Sequence, residues 1–276
     1  MTDNALGAFL RARREATTPA AVGLPSGPRR RTPGLRREEL ASLAGLSVEY
    51  LTRLERGIDR RPSTQVIGAL ADVLGLSPEE RVHVYRMVKV VSGDVCVQAQ
   101  PPARTVRPTV LALLDRLDAT PALVLAPHGD VLASTAGFRS LAAPVGLFDA
   151  AEPNVVRFVF CDPRARTAFP DWEQVADAHA AALRAAADLA DHTAAALADE
   201  LSVTEGGEFS RRFAGGALPP STGVERWVHP TAGSLRLAFE CLPLPGPEDQ
   251  RLLAYLPADA ATVAALATLD EPALVS

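Results

Sequence analysis

Ser47, Val48, Glu49, Thr52 and Arg53 have the side-chain types and spacing to read base pairs from a helix laid in a DNA groove. Wound as a helix, they lie away from Leu51 and Leu54 and face outward together. Arg53 suits a bidentate contact with guanine, and Glu49 can accept from a cytosine amino group. Upstream, Arg29, Arg30 and Arg31 supply charge for phosphate or minor-groove contacts. The plainer reading of such residues is a solvated basic face, so the choice rests on the elements that carry them. Catalysis has less support. His128, His179, His192 and His229 can be matched on paper with Asp130, Asp162 or Asp171, but no nucleophile elbow, HExxH, P-loop or GxGxxG accompanies them. No catalytic residue and no metal ligand is assigned, and the chain reads as a non-enzyme. Cys96, Cys161 and Cys241 form no CxxC pair, so neither a zinc site nor a disulfide framework is indicated, and they read as reduced packing residues.

The positioning elements follow from periodicity. Leu6, Phe9 and Leu10 share one helical face, which predicts a helix from about Asn4 to Glu15. Residues 16–33, interrupted by Pro19, Pro25, Pro28 and Pro33, predict a long, irregular, basic connection. Helix resumes near Arg36, with Leu40, Leu43 and Ala44 on one side, and stops at Gly45. Ser47 then caps a helix over Val48–Arg56 that Gly57 terminates. Two short helices joined by a glycine turn make a helix-turn-helix, its second helix protruding into a major groove over a core of Leu40, Leu46, Leu51 and Leu54. Ser63–Leu74 predicts a supporting helix, and Ser77-Pro78-Glu79-Glu80 opens another with a capping box. The expectation is an all-α, five-helix domain over residues 1–91, followed by a linker over residues 92–107.

Composition agrees with two jobs in one chain. The 276 residues, 47% of them apolar, suffice for one large or two modest domains. No apolar run approaches the roughly 18–20 residues that span a bilayer, and the start lacks a basic-then-apolar leader pattern, so a cytoplasmic protein without membrane contact is expected. The net charge of −5 conceals an asymmetry. Residues 1–91 carry 15 basic and 10 acidic side chains, whereas residues 92–276 carry 13 and 23. Opposite signs in the two parts suit a DNA-binding headpiece joined to an acidic body.

Leu40 to Gly57, followed by Arg61-Pro62-Ser63 and Ala69 to Leu76, closely resembles the XRE/Cro-type helix-turn-helix of bacterial regulators, and the insert from Gly23 to Leu40 resembles an actinobacterial type. The resemblance implies that Arg14 of the first helix pairs with Glu55 at the end of the recognition helix. It also implies phosphate and flanking-base contacts for Arg36 and Arg37. A dimer on an inverted-repeat operator is expected, because one recognition helix covers only a half-site.

Beyond the linker, Val110–Leu117 reads as a helix with Leu113, Leu114 and Leu117 inward. Residues 122–126 and 130–134 read as a hairpin, and Asn154–Phe160 forms a second aromatic and β-branched patch. Asp171–Ala187 reads as a long helix, with Asp171 and Gln174 at its amino-terminal cap. Three strands at 225–229, 233–242 and 250–256 and a helix over 258–269 complete an α/β layer. Thr120–Leu125, Asp130–Ala133, Asn154–Phe160, Asp162-Pro163, Asp171–Glu173, Glu200–Ser202, Glu208-Phe209, His229-Pro230 and Gly233–Leu237 together resemble the MmyB-like ligand-binding domain. That resemblance implies a multidomain chain with an α/β, PAS-like domain over residues 108–276. It also implies a dimeric regulator with a fatty acid or other small apolar molecule inside. Ser134-Thr135 and Phe213 depart from the family pattern of Trp-Asn and Trp, which would change the ligand that fits.

For Phe158, Phe160, Trp172, Phe209, Phe213 and Trp227 the readings are a packed aromatic core or ligand lining. His229 is either a strand-end group satisfying a local hydrogen bond or a ligand contact. Arg157 and Arg184 are either ion-paired residues or a clamp for an acid headgroup. Two alternatives stand beside the sensor reading: a ligand-free dimerisation or docking platform, and a haem or flavin sensor using His179 or His229.

Overall fold

The computed structural model describes residues 4–25, 32–92, 105–246 and 249–269, which fall into two compact units. Arg29, Arg30, Arg31, Cys96 and most of the expected linker lie outside the described residues.

The first unit is built from α1 (Ala5–Ala16), α2 (Arg37–Leu43), α3 (Val48–Glu55), α4 (Thr64–Val73) and α5 (Pro78–Ser92). Its core is the apolar stripe of each helix: Leu6, Phe9 and Leu10, then Leu40, Leu51, Leu54, Ile67, Leu70, Val84 and Met87, all buried. Three helix starts are closed by side chains, Ser47 and the Ser77–Glu80 box as expected and Ser63 in addition. Ser47 Oγ accepts from Tyr50 N at 3.1 Å, and Ser63 Oγ accepts from Val66 N at 3.3 Å. Ser77 N donates to Glu80 Oε2 at 2.8 Å while Glu80 N donates to Ser77 Oγ at 3.2 Å. Gly45 and Gly57 adopt φ of 67° and 71°, a left-handed turn that a side chain would strain, and so end the two helices of the motif. Two expectations change. Pro19–Val22 forms a 3₁₀ turn inside the segment read as irregular. Leu43 is 41% exposed, because α2 meets the core through Leu40 and Ala41 and Leu43 lies well round the helix from that pair.

The second unit is an antiparallel sheet of β1 (Ala122–Leu125), β2 (Val131–Ser134), β3 (Thr222–His229), β4 (Gly233–Pro243) and β5 (Arg251–Pro257), in the order β2-β1-β5-β4-β3. This strand order, with helices inserted between β2 and β3, is PAS-like. On one face α6 (Pro108–Arg116) packs Val110 and Leu114 against Ala122, Val124 and Leu252. That narrow contact leaves Leu113 46% exposed, not inward as expected. The inserted helices are α7 (Ala136–Ala142), α8 (Val155–Cys161), α9 (Arg164–Ala168), α10 (Trp172–Asp188), α11 (His192–Thr204) and α12 (Gly207–Phe213), and α13 (Ala260–Ala267) follows the sheet. The β-branched patch after Asn154 is therefore α8, capped by Asn154 Oδ1 accepting from Arg157 N at 2.9 Å. Val155, Val156, Phe158, Val159 and Phe160 are all buried, and only Arg157 and Cys161, four residues apart, reach solvent, too narrow a polar side in seven residues to set a helical period. Thr135, at a departure from the family pattern, caps α7 by accepting from Phe138 N at 3.1 Å. The Asp171 carboxylate is held by Arg226 of β3 in an ion pair.

A buried cation pins the β1–β2 turn. His128 is 4% exposed, its Nε2 is 3.1 Å from Asp130 Oδ2, and its Nδ1 is 3.9 Å from Asp191 Oδ2. Asn154 Nδ2 donates to His128 O at 3.1 Å and to Asp130 Oδ1 at 2.8 Å, tying the turn to α8. Burial alone would lower the His128 pKa, but the hydrogen bond to Asp130 and the nearby charges of Asp130 and Asp191 outweigh it and raise the pKa from 6.5 to about 9. A raised folded-state pKa means that the stabilisation is complete below the unfolded value and is lost as pH rises toward 9. His128→Gln is expected to cost on the order of 2 kcal/mol at pH 6 and much less at pH 9.5. Urea unfolding followed by the fluorescence of Trp172 and Trp227, the only tryptophans, measures this. A cost independent of pH would refute the charged state assigned to His128.

Candidate functional site

The outward side of α3 presents Ser47, Val48, Glu49 and Arg53 to solvent, as a groove-reading helix requires. Thr52 is half-buried, and its Oγ1 donates to Val48 O at 2.7 Å, which leaves oxygen lone pairs as its outward function. Arg53 Nη2 lies 2.9 Å from Asp59 Oδ1, so the residue expected to meet guanine is steadied by a carboxylate just past the Gly57 turn. Arg36 is exposed, and its backbone N donates to Glu39 Oε2 at 2.7 Å at the start of α2.

Beneath that surface Glu55 collects two arginines. Arg14 donates to it through Nε at 2.6 Å and Nη2 at 3.3 Å, and Arg37 donates through Nε at 2.7 Å. Arg14 Nη1 also donates to Leu35 O at 2.8 Å, anchoring the end of the insert. The Arg14–Glu55 pair is made as the resemblance implied. Arg37, expected at phosphate, is tied to Glu55 as well, with 39% of its side chain exposed.

The second unit holds a small, partly open cavity of about 20 Å³, room for about one water molecule and well below ordinary small-molecule pockets. Its walls are mostly apolar. Phe138, Val145, Leu147, Val155, Phe158, Val159 and Phe169 come from the inserted segment, and Leu123, Leu253, Trp227 and Tyr255 from the sheet. Strand register explains the sheet wall: Glu225 and Trp227 alternate to one face of β3, opposite Leu237 and Leu235, and Phe239 stands opposite Tyr255. Two more side chains, His179 of α10 and Glu225 of β3, also line the cavity and, with the Tyr255 phenol, are its ionisable groups.

Residues 106–269, more than half of the chain, match the family model of the MmyB-like transcription regulator ligand binding domain. The chain belongs to this family. Residues 5–84 match a helix-turn-helix domain, and no curated protein matched the sequence. A helix-turn-helix joined to an MmyB-like domain makes this a DNA-binding transcription regulator with a ligand-binding domain.

In this MmyB-like regulator the expected ligand residues divide. Phe158 and Trp227 line the cavity, whereas Phe160, Trp172, Phe209 and Phe213 are not among its lining residues. Phe160 meets Trp172 edge-on at 6.1 Å and Phe209 at 5.0 Å, Phe209 stacks on Phe213 at 5.5 Å, and the Arg166 guanidinium sits 3.7 Å from the Trp172 ring. Those four rings build a separate aromatic cluster. His229 is buried, its Nδ1 accepting from Thr231 N and Ala232 N at 3.1 and 3.0 Å and its Nε2 lying 3.2 Å from Ser140 O. Both ring nitrogens serve the main chain. Arg157 pairs bidentately with Glu200, and Arg184 is buried on α10 outside the cavity lining. Neither forms a clamp at the cavity.

Glu225 and Tyr255 were not singled out in the sequence. A signal existed, because Glu225, Trp227 and His229 recur at every second residue of a strand and therefore share a face. Trp227 Nε1 donates to Glu225 Oε2 at 3.0 Å, and Tyr255 hydrogen-bonds the same carboxyl. Burial raises the Glu225 pKa, with those hydrogen bonds opposing, and burial beside Glu225 raises that of Tyr255 well above its ordinary value. Burial, reinforced by the charge of Arg251, lowers the His179 pKa to about 4, so its imidazole is neutral at pH 7. Cys161 is exposed, not packed, and desolvation together with Glu205 raises its thiol pKa to about 11, far from a reactive thiolate. Among the described residues no group of three or more His, Cys, Asp and Glu is placed to hold a metal ion, and no helix is long and apolar enough to cross a membrane.

Proposed function

We propose that the protein is a non-enzymatic, dimeric regulator that reads an inverted-repeat operator through α3 and changes its DNA affinity when a small, mostly apolar molecule enters the second unit. A fatty-acid-like hydrocarbon body suits the walls. The observation that carries this reading is a helix-turn-helix joined in one chain to a ligand-binding family domain whose sheet and inserted helices line a small, mostly apolar cavity. Paired half-sites support the dimer, since two recognition helices about one helical turn apart mirror a two-fold operator. In this reading the protein works in the cytoplasm, where its operator lies, and its acidic body keeps non-specific DNA affinity modest and steeply salt-dependent.

Operator selection from random duplexes, run with and without a lipid extract, tests the reading. A palindromic consensus is expected, with an affinity that shifts about tenfold when extract is present, a coupling of ordinary size. An asymmetric single half-site would overturn the dimer. Unchanged affinity, together with a clean apo mass by native mass spectrometry, would favour the docking platform.

A further inference from the structure

We propose that two copies of the chain pair through the second unit, across the outer face of β3, β4 and β5 and the open side of α13, so that the ligand domain holds the dimer together. This rests on the dimeric reading above and names the surface that makes it.

Strand register defines the face. Val224, Ala238 and Leu256 stand opposite one another across three strands, and Val228 and Leu242, each four residues further along, point to the same side. α6 covers that side only toward β1 and β5, through Val110 and Leu114 on Ala122, Val124 and Leu252. Beyond it the side chains are bare, with Val224 50% and Leu256 53% exposed. α13 extends the surface. It packs against β4, where Arg236 N donates to Thr262 Oγ1 at 2.9 Å, and from Ala260 to Ala267 it holds no charged residue. A helix apolar on every side is ordinarily buried, yet Thr262 is its one buried residue and Val263 is 54% exposed. Among the described residues, eight large apolar side chains of the second unit are exposed, and five of them belong to this face. In the first unit Leu43, Val48, Ile58 and Val82 are exposed singly, and Val48 belongs to the reading surface.

Charge selects a second copy as the partner. Residues 92–276 carry 13 basic and 23 acidic side chains, so two such bodies repel. The charged residues at this face, Arg226, Arg236, Glu240 and Asp259, sum to zero. Both arginines are held within the chain: Arg226 pairs with Asp171, and Arg236 Nη1 lies 3.5 Å from Asp259 Oδ2. The acidic excess therefore lies elsewhere, and two copies can meet here without like charges opposed. A two-fold contact sets a patch against the same patch of its partner, which a neutral apolar centre tolerates and a charged one does not. A strongly basic or acidic partner finds no net field here to steer it. Size agrees, because a standard interface buries about 800 Å² and some 20–30 residues on each partner, and the outward positions of three strands with the open side of α13 approach that extent.

Sedimentation equilibrium of the full chain tests the face. The unaltered protein is expected to dimerise at micromolar concentration, with an association constant that changes less than about threefold between about 0.1 and 0.5 M NaCl. Leu256→Glu combined with Val263→Glu should weaken dimerisation at least about a hundredfold by setting like charges together at a desolvated contact. Val203→Glu, on α11 outside this face, should leave it unchanged. Circular dichroism checks that each variant folds, and a duplex with a single half-site should bind the double variant as it binds the unaltered chain. If the two glutamates unfold the domain, Leu256→Ser with Val263→Ser gives the same reading at about tenfold. A dimer left intact by the double variant overturns this face as the interface and leaves it to a different partner, and a dimer that weakens steeply with salt overturns its neutral, apolar character. A monomer at every concentration, on operator as well as off it, instead overturns the dimeric reading on which this rests.

Discussion

Glu55→Ala is expected to destabilise the first unit by about 3–5 kcal/mol and to abolish operator binding through that loss of fold. Glu55 is 4% exposed and Arg14 is 6% exposed. Removing the carboxylate leaves the Arg14 guanidinium buried with, among the described residues, Leu35 O and an exposed Glu15 carboxylate as partners, and it releases Arg37 from the base of the reading surface. The cost comes chiefly from stranding a charge, not from losing the net strength of the pair. A second variant separates these. Arg14→Met combined with Glu55→Met should recover most of the lost stability, because apolar groups of similar size need no partner. Thermal unfolding by circular dichroism measures both. A loss below about 1 kcal/mol for Glu55→Ala would show that the cluster behaves as a surface pair.

Arg53→Ala should act differently, leaving the fold intact and removing discrimination. A bidentate arginine–guanine contact is worth about 1–3 kcal/mol against the wrong base, so the operator should bind roughly 5- to 150-fold more weakly while random duplex changes little. Asp59 modifies the expectation. Its ion pair steadies Arg53 in the free protein, and Asp59→Ala should therefore reduce specificity by a smaller factor while raising general affinity through one less acidic group near the groove. Arg30→Ala is the control for charge alone: affinity should fall on every sequence, with the salt slope reduced by about one. Equal losses on operator and random duplex for Arg53→Ala would remove the assigned base contact.

The helix-turn-helix was legible because its determinants are local. Ser47, Ser63 and Ser77 cap the helices that follow them, Gly45 and Gly57 stop the helices before them, and each apolar stripe lies within one turn-length repeat. The sheet was legible nearly as well, since β1 and β2 flank one short turn and β3 and β4 another. α8 was not. Five of its seven residues are buried and only Arg157 and Cys161 reach solvent, so a stretch this short and this apolar shows no clear period to separate helix from strand. Leu43 and Leu113 show the same limit from the other direction, because a stripe of leucines does not say how wide the packed face will be.

From the sequence alone follow the two-part architecture, the reading helix with Arg53 on its outer side, and the split of charge between headpiece and body. These depend on residue types and near-neighbour spacing, which the chain carries wherever it goes. Tertiary structure decided that Arg37 belongs partly to a buried ion cluster, and that Phe158 and Trp227 face a cavity while Phe160, Trp172, Phe209 and Phe213 stack elsewhere. It also brought His179 and Glu225, 46 residues apart in the chain, to line one cavity. The physical reason is that strand register and helix rotation over a sheet are settled by long-range packing: a one-residue slip would turn Glu225 and Trp227 to the opposite face of β3, and would rotate each helical side chain by about 100°.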